Sequence, residues 1–338
     1  MIGRAQKVPG TKFYRKYQPR HESNLYGEIK LFCGSASQEL GREICEYLSL
    51  EPGNYTRTMF SNENIFVKLE ESVRGQDVYL VQSMSTPVSD NIMEMLIMID
   101  TFKRDSAGRI TVVIPYLTYA RSDKKDQPRV PITARLIADL IETAGADRYI
   151  TIDLHSGQIQ GFFKIPGDVL TAFFLLSDYL LDRHIPNVAV STTDLGFAKR
   201  ARDYANRLNC PLAFVEKRRS DNKEKPQLLA LIGDVSDRNV VLVDDEVNTG
   251  SSVVNAVEVL RKHGAKDIYL AFTHAILSGP AVERLRQLEL KEIITTNTVH
   301  IPEEKRLPNM TVLSVAPLLA EVIIRAHEGR SVGALFDE

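Results

Sequence analysis

The sequence holds only three cysteines in 338 residues, Cys33, Cys45 and Cys210. They are too few and too scattered for a disulfide framework or a zinc site, so a reducing compartment, the cytoplasm, is expected. No run of about 18 apolar residues occurs, so nothing in the sequence reads as a membrane span. Neither sign of charge is in excess: 42 Lys and Arg against 44 Asp and Glu leave a formal net charge of −2. That balance gives no reason to expect nucleic acid or a membrane surface as partner. Neither Gly-x-x-x-x-Gly-Lys-Ser/Thr nor Gly-x-Gly-x-x-Gly is found, which removes the usual mononucleotide and dinucleotide loops. The first 22 residues carry six Lys or Arg and no acid before Glu22, and they lack the apolar core of a secretory signal. A basic, partly disordered extension over residues 1–25 is therefore expected.

What is present is an unbroken α/β rhythm. Hydrophobic residues at 43% and charged residues at 25% are ordinary for a globular protein, and the length exceeds one comfortable core. Short β-branched runs predict strands over 29–34, 64–71, 77–82, 110–115 and 149–153, with helices over 38–48, 91–103 and 132–143. The alternation then repeats, with strands over 188–191, 212–215, 240–243, 268–272, 292–295 and 311–315. Two α/β domains of similar construction are expected, each a mainly parallel sheet flanked by helices, with a seam near 166–173. No residue-level repeat joins them.

The most informative stretch is 239–260. Val240 to Val243 suits a strand buried on both faces of a parallel sheet, and it runs into Asp244-Asp245-Glu246. Asn248-Thr249-Gly250-Ser251-Ser252 follows, and then apolar residues at Val253, Val254, Val257 and Leu260 with helical spacing. In an open α/β sheet such a loop lies at the carboxyl end of the strand, where ligands bind. Bare N–H groups at the helix start and the helix dipole suit a phosphate monoester. Two carboxylates beside that cradle suit vicinal hydroxyls, so a ribose 5-phosphate fits both features. A solvated strand end before a capped helix is the plainer reading of the Asp-Asp pair alone.

Three further stretches carry candidate chemistry. Residues 115–131 hold Tyr116, Tyr119, Arg121, Lys124, Lys125 and Arg129, a surface able to neutralise polyphosphate and stack a base, or else a solvated charged loop. Asp153 and His155 fall at a strand end and share a face, where either a metal role or a structural one fits. Lys217-Arg218-Arg219 opens an aperiodic polar segment running to Gln227, the kind of loop that closes over a ligand. Mobile cations there would meet the charge that develops in a phosphoryl-type transfer.

From about Ile29 to Phe336 the chain resembles, in one collinear run, the class I ribose-phosphate diphosphokinases (phosphoribosyl-pyrophosphate synthetases). The resemblance is carried by Glu-Ser-Val-Arg-Gly-Gln-Asp (71–77), by 90–100, by Ile-Pro-Tyr-Leu-Thr-Tyr-Ala-Arg-Ser-Asp-Lys-Lys-Asp (114–126), and by Ile-Asp-Leu-His-Ser-Gly-Gln-Ile-Gln-Gly-Phe-Phe (152–163). Lys217-Arg218-Arg219 and the phosphate-loop signature complete it. A transferase of the hypoxanthine or orotate type would share only the last of these.

The resemblance implies two phosphoribosyltransferase-like domains, an N-terminal one over 26–168 and a C-terminal one over 169–325, with 326–338 packing on the first or on a neighbour. It implies ATP contacts at Phe60, Asn62, Glu63, Asn64, Arg121 and Ser122, and ribose 5-phosphate contacts at Asp244, Asp245, Asn248, Thr249, Gly250, Ser251 and Ser252. Mg²⁺ is implied near His155 and Asp194, a catalytic pair at Lys217 and Arg219, and a phosphate or ADP regulatory site at Ser72, Arg74 and Ser331. A homo-oligomer built from dimers, in the family commonly a hexamer, is implied as well. Four positions depart from the family pattern: Asn64 stands for a customary Glu, Ser122 for Gln, Asn248 for an acid and Gly333 for a second C-terminal serine. A non-catalytic regulatory subunit, or a phosphoribosyltransferase acting on a base, stays open beside the diphosphokinase reading.

Overall fold

The computed structural model describes residues 26–218 and 228–335, so the basic extension lies outside the described residues. The chain divides into two compact units. The first comprises residues up to Leu170 with Thr298–His300 and the chain from Ser314 onward; the second comprises Thr171–Asn297 and Ile301–Leu313.

The first unit contains β1 (Ile29–Cys33), α1 (Gln38–Leu48), β2 (Tyr55–Met59), β3 (Ile65–Leu69), β4 (Asp77–Val81), α2 (Val88–Arg104), β5 (Arg109–Ile114), α3 (Thr133–Ala144), β6 (Arg148–Ile152) and β7 (Gly167–Leu170). The sheet runs β1-β4-β5-β6-β7 with every pairing parallel. Strands covered on both faces need apolar side chains on both, and all five residues of β4 are buried. Met95, Met98, Ile99 and Phe102 on α2 are buried in this core, with Phe102 tilted against Phe32 of β1 at 4.8 Å between ring centroids. Strands β2 and β3 form an antiparallel hairpin outside the main sheet.

The second unit contains α4 (Phe173–Asp182), β8 (Val188–Thr192), α5 (Ala198–Arg207), β9 (Leu212–Arg218), β10 (Leu228–Ile232), β11 (Asn239–Val247), α6 (Ser251–Lys262), β12 (Ile268–Ala275), α7 (Ala281–Gln287), β13 (Glu292–Thr296) and β14 (Met310–Leu313). Its sheet order is β10-β9-β8-β11-β12-β13-β14, parallel except for β10 against β9. The order reverses between β8 and β11, which makes the carboxyl ends of those two strands the switch-point crevice. The last helix, α8 (Ala316–His327), belongs to the first unit and packs against α1, where the Ser314 hydroxyl donates to Glu43. Both units are therefore α/β, each a parallel or mainly parallel sheet with helices.

Several strand assignments differ from the sequence expectation, among them β10, which is not among the expected strands, and β12, which runs on to Ala275. Strand β2, Tyr-Thr-Arg-Thr-Met, alternates too weakly to read alone and is made by pairing with β3. Strand β7 has only four residues, and its Gly167 lies where a Cβ would meet the Tyr149 ring at 2.0 Å, so pairing with β6 needs glycine there. Strand β9 continues to Arg218 because β10 pairs with it, Lys217 opposite Leu229. Strand β11 runs on through the carboxylates to Val247: beyond Val243 it has lost its partner β8 but keeps β12, with Asp244 opposite Phe272 and Glu246 opposite His274.

Candidate active site

The one-sided end of β11 builds the centre of the second unit's site. Val240 to Val243 are fully buried, while Asp244 emerges at the crevice partly accessible. Its Oδ2 accepts the Thr193 hydroxyl at 2.6 Å and its Oδ1 accepts the Asp245 backbone N–H at 2.9 Å. Thr193 is buried and directly follows β8, so the hydrogen bond closes the switch point from the neighbouring strand. Asp245 is buried and its Oδ1 accepts the Glu246 N–H at 2.8 Å. Successive strand side chains alternate in face, and Asp244 is the more accessible of the two carboxylates.

The start of the loop after β11 is tied down by the chain that follows β12. Leu277 N–H donates to the Val247 carbonyl at 3.0 Å and Ser278 N–H to the Asn248 carbonyl at 2.9 Å. Gly250 adopts φ 75°, ψ 0°, a left-handed turn that a Cβ would strain, and it starts α6. No side chain caps that helix start, so its first-turn N–H groups stay available to an anion. Thr249 and Ser251 are exposed beside them with hydroxyls 3.2 Å apart, and Ser252 is half-buried. Asn248 is half-buried and contributes its carbonyl to the loop anchor.

Sequence reasoning missed one member of this loop. Arg284, on α7, donates from Nη1 to the Thr249 carbonyl and to the Ser251 hydroxyl, both at 2.8 Å. It stands 35 residues from Thr249, beyond the reach of a local motif. The one available signal was the turn-forming Ser278-Gly279-Pro280, which returns the chain onto the loop.

Burial, reinforced by the neighbouring Asp245, holds the Asp244 carboxyl well above the ordinary carboxylate range, against the Thr193 hydrogen bond that favours ionisation. The folded protein thus binds this proton more tightly than the unfolded chain, whose value is near 3.8. Such a group contributes its full stability below the unfolded value and loses it as pH rises through the folded one. Asp244→Asn is therefore expected to raise the unliganded protein's stability by at least about 1 kcal/mol near pH 8, a gain that fades toward zero by about pH 4. Thermal unfolding of both proteins across that range reads it, and an equal or lower melting temperature for the variant at pH 8 contradicts it.

Elsewhere in the second unit, Asp194 is exposed just past β8, its Oδ1 accepting the Gly196 N–H at 2.8 Å and the Phe197 N–H at 3.3 Å. Its Oδ2 makes no hydrogen bond among the described residues. Lys217 lies on β9 near the end of the β9–β10 hairpin, and Arg219 lies outside the described residues.

The first unit carries the other candidates. Phe60, Asn62, Glu63 and Asn64 form the tip of the β2–β3 hairpin, with Phe60 N–H donating to the Asn64 carbonyl at 2.9 Å and Glu63 at φ 66°. Phe60 and Phe66 are exposed with ring centroids 6.0 Å apart, a small apolar tip able to stack on a planar ligand. The hairpin root is fixed by fully buried Glu94, which accepts Arg57 Nε at 3.0 Å and the Ser35 hydroxyl at 2.8 Å. Arg121 is exposed after β5, and the Ser122 hydroxyl is engaged within its own loop by the Thr133 N–H at 3.3 Å. His155 is exposed after β6. Gln158 Nε2 donates to Asp123 at 2.7 Å, so the 115–131 loop and the 153–158 loop meet at one sheet end. Ser72 and Arg74 are exposed, joined by an Arg74 N–H bond to the Ser72 hydroxyl at 3.3 Å; Ser331 is exposed past α8.

Residues 29–145 match the N-terminal domain of ribose phosphate pyrophosphokinase, and residues 217–337 match the phosphoribosyl synthetase-associated domain. The chain is 47% identical over 309 residues to the ribose-phosphate pyrophosphokinase of Caldanaerobacter subterraneus subsp. tengcongensis, covering 91% of this chain and 98% of that protein. It is 43% identical over 316 residues to the Bacillus subtilis enzyme of the same name, covering 93% and 99%. The crystal structure of phosphoribosylpyrophosphate synthetase from Mycobacterium smegmatis superposes with a TM-score of 0.85 at 43% identity, covering 89% of this chain and 99% of that one. The phosphate cradle at the switch point, the paired carboxylates and a likeness that spans both units together place this chain in the ribose-phosphate pyrophosphokinase family.

Proposed function

We infer that this protein transfers the diphosphoryl group of ATP to the 1-hydroxyl of ribose 5-phosphate, giving phosphoribosyl diphosphate and AMP. The observation that carries the reading is the crevice at β8 and β11, where an uncapped helix start adjoins a carboxylate placed to accept from sugar hydroxyls. The 1-oxygen forms a bond to the β-phosphorus, the bond from that phosphorus to the α,β-bridging oxygen breaks, and the hydroxyl proton passes to solvent. The α6 N–H groups with Thr249 and Ser251 hold the 5-phosphate; Asp244 accepts from a ring hydroxyl; Phe60 stacks the adenine. Arg121 and Lys217 are the cations this reading assigns to offsetting charge on the transferring group, so catalysis is mostly positioning and electrostatics.

Mg²⁺ keeps most of its waters and binds through one or two carboxylates plus substrate phosphates, and the exposed Asp194 carboxylate is a donor of that kind. Asp194, with its unengaged Oδ2, and His155 are the residues this reading assigns to holding it, and when bound it would supply charge neutralisation to the polyphosphate.

The same reading includes a homo-oligomer, dimer-based up to a hexamer, in which the exposed Phe60 tip serves a neighbouring subunit's nucleotide, and a cytoplasmic location. No helix among the described residues is long and apolar enough to cross a membrane. The reading also includes an anion-regulated site at Ser72, Arg74 and Ser331, where Gly333 removes one hydroxyl donor.

Purified protein mixed with Mg²⁺, ATP and ribose 5-phosphate tests the reaction. AMP and phosphoribosyl diphosphate in equal amounts are expected. No AMP from the pure protein would point to a non-catalytic subunit, and base-dependent consumption of phosphoribosyl diphosphate to a base transferase. Asp244→Ala is expected to weaken ribose 5-phosphate by about tenfold or more while leaving ATP affinity within about twofold, since a hydrogen bond to a charged group contributes roughly 1.5 to 3 kcal/mol. Equal losses for both substrates would signal general damage to the fold.

A further inference from the structure

Arg284 is a half-buried residue whose guanidinium pairs with no carboxylate among the described residues. The neighbouring Glu283 is taken by Arg286 at 2.6 Å and by Gln287 at 2.8 Å. An arginine placed only to staple two elements commonly meets an acid; this one meets the Thr249 carbonyl and the Ser251 hydroxyl through Nη1. Both acceptors lie in the loop that starts α6, and a Cβ at Gly250, between them, would lie 3.8 Å from the Arg284 Cβ. Its Nη2 and Nε make no hydrogen bond among the described residues.

The two bonds have different consequences. Holding the Thr249 carbonyl fixes the peptide that precedes the left-handed Gly250, and so fixes where the following N–H groups point. Occupying a lone pair of Ser251 Oγ leaves the serine's own hydrogen as the group it offers outward, either to Thr249 Oγ1 at 3.2 Å or to an incoming acceptor. An unpaired positive charge beside that hydroxyl adds attraction for a phosphate dianion.

We propose that Arg284 is a positioning residue for the 5-phosphate of the sugar substrate, orienting the Ser251 hydroxyl as a donor and holding the 249–251 backbone open to the anion. The proposal deepens the functional reading above and rests on it for the identity of the phosphate ester. It sets specificity for a phosphorylated sugar from a helix outside the loop itself.

Equilibrium titration of ribose 5-phosphate and of ATP, together with steady-state AMP formation, tests it on the full-length protein. Arg284→Gln is expected to weaken ribose 5-phosphate and raise its KM by about tenfold to a hundredfold, the span of one or two hydrogen bonds to charged groups. Turnover at saturating sugar phosphate and the KM for ATP stay within about twofold. Arg284→Lys keeps the charge and holds one acceptor at a time, so it falls between the two; it carries the test where the glutamine variant loses its fold. In a Ser251→Ala background the Arg284→Gln loss shrinks, because the two residues act through a shared hydrogen bond.

Variants that bind ribose 5-phosphate as the wild type does overturn the inference alone, and so do losses of Ser251→Ala and Arg284→Gln that multiply in full. Wild-type protein that binds ribose 5-phosphate but makes no AMP overturns the functional reading and leaves Arg284 in place. Wild-type protein that binds no ribose 5-phosphate overturns both.

Discussion

Asp77→Ala is expected to lower the folding stability by about 3 to 5 kcal/mol, the range for removing one partner of a buried ion pair. Asp77 opens β4 and has no exposed surface. Its carboxylate accepts Arg109 Nε at 2.8 Å and Nη2 at 2.5 Å, the Tyr79 hydroxyl at 3.0 Å, and a bond with His327 Nδ1 at 2.8 Å. Arg109 also donates to the Ala326 carbonyl at 3.1 Å, so the cluster binds the end of α8 to the edge of β4 and β5. Burial would push this carboxyl up, but His327 and Arg109 together hold it below its ordinary value of 3.8. A depressed folded value means the stabilisation is present above the unfolded value and lost as pH falls through the folded one. The difference between wild type and variant should therefore be full at pH 7 and narrow below about pH 4. Denaturant unfolding at several pH values measures it, and a loss under about 1 kcal/mol at pH 7 would show that the cluster does not anchor α8.

That cluster also shows what a sequence withholds. Asp77, Arg109 and His327 are spread across the chain with no spacing that links them, and only the parallel register of β4 with β5 and the return of α8 to the first unit bring them together. The α/β alternation was legible because two-sided burial leaves an apolar signature such as Val240 to Val243. Strand continuation through Asp244-Asp245-Glu246 was not, since aspartate disfavours strands and the extension is imposed by β12 alone. The phosphate loop was legible because glycine at a left-handed position followed by small hydroxyl residues at a helix start is a local device. The contact of Arg284 with the phosphate loop, the hydrogen bond of Thr193 to Asp244 and the engagement of Ser122 with Thr133 are tertiary facts. Local periodicity carries none of them.

Turnover should be most sensitive at the β9–β10 hairpin. Lys217 lies on β9 opposite Leu229, one residue before the described arm ends at Arg218, so its backbone is held by the β9–β10 ladder. In the proposed reaction a cation there would act on charge that grows as the β-phosphorus moves from the α,β-bridging oxygen to the sugar oxygen, charge that is larger in the transition state than in bound ATP. Interactions stronger in the transition state than in the ground state raise kcat without tightening binding. Lys217→Ala is therefore expected to reduce turnover by at least about a hundredfold while the affinity for ribose 5-phosphate stays within about threefold. The same split is expected for Arg219→Ala. It is the reverse of the pattern expected at Arg284, where binding falls and turnover at saturation holds. Steady-state AMP formation with each substrate varied in turn, paired with ribose 5-phosphate titration, separates the two. A Lys217 variant with unchanged turnover removes the hairpin from the chemistry, and one that loses sugar-phosphate binding in proportion assigns it to the ground state instead.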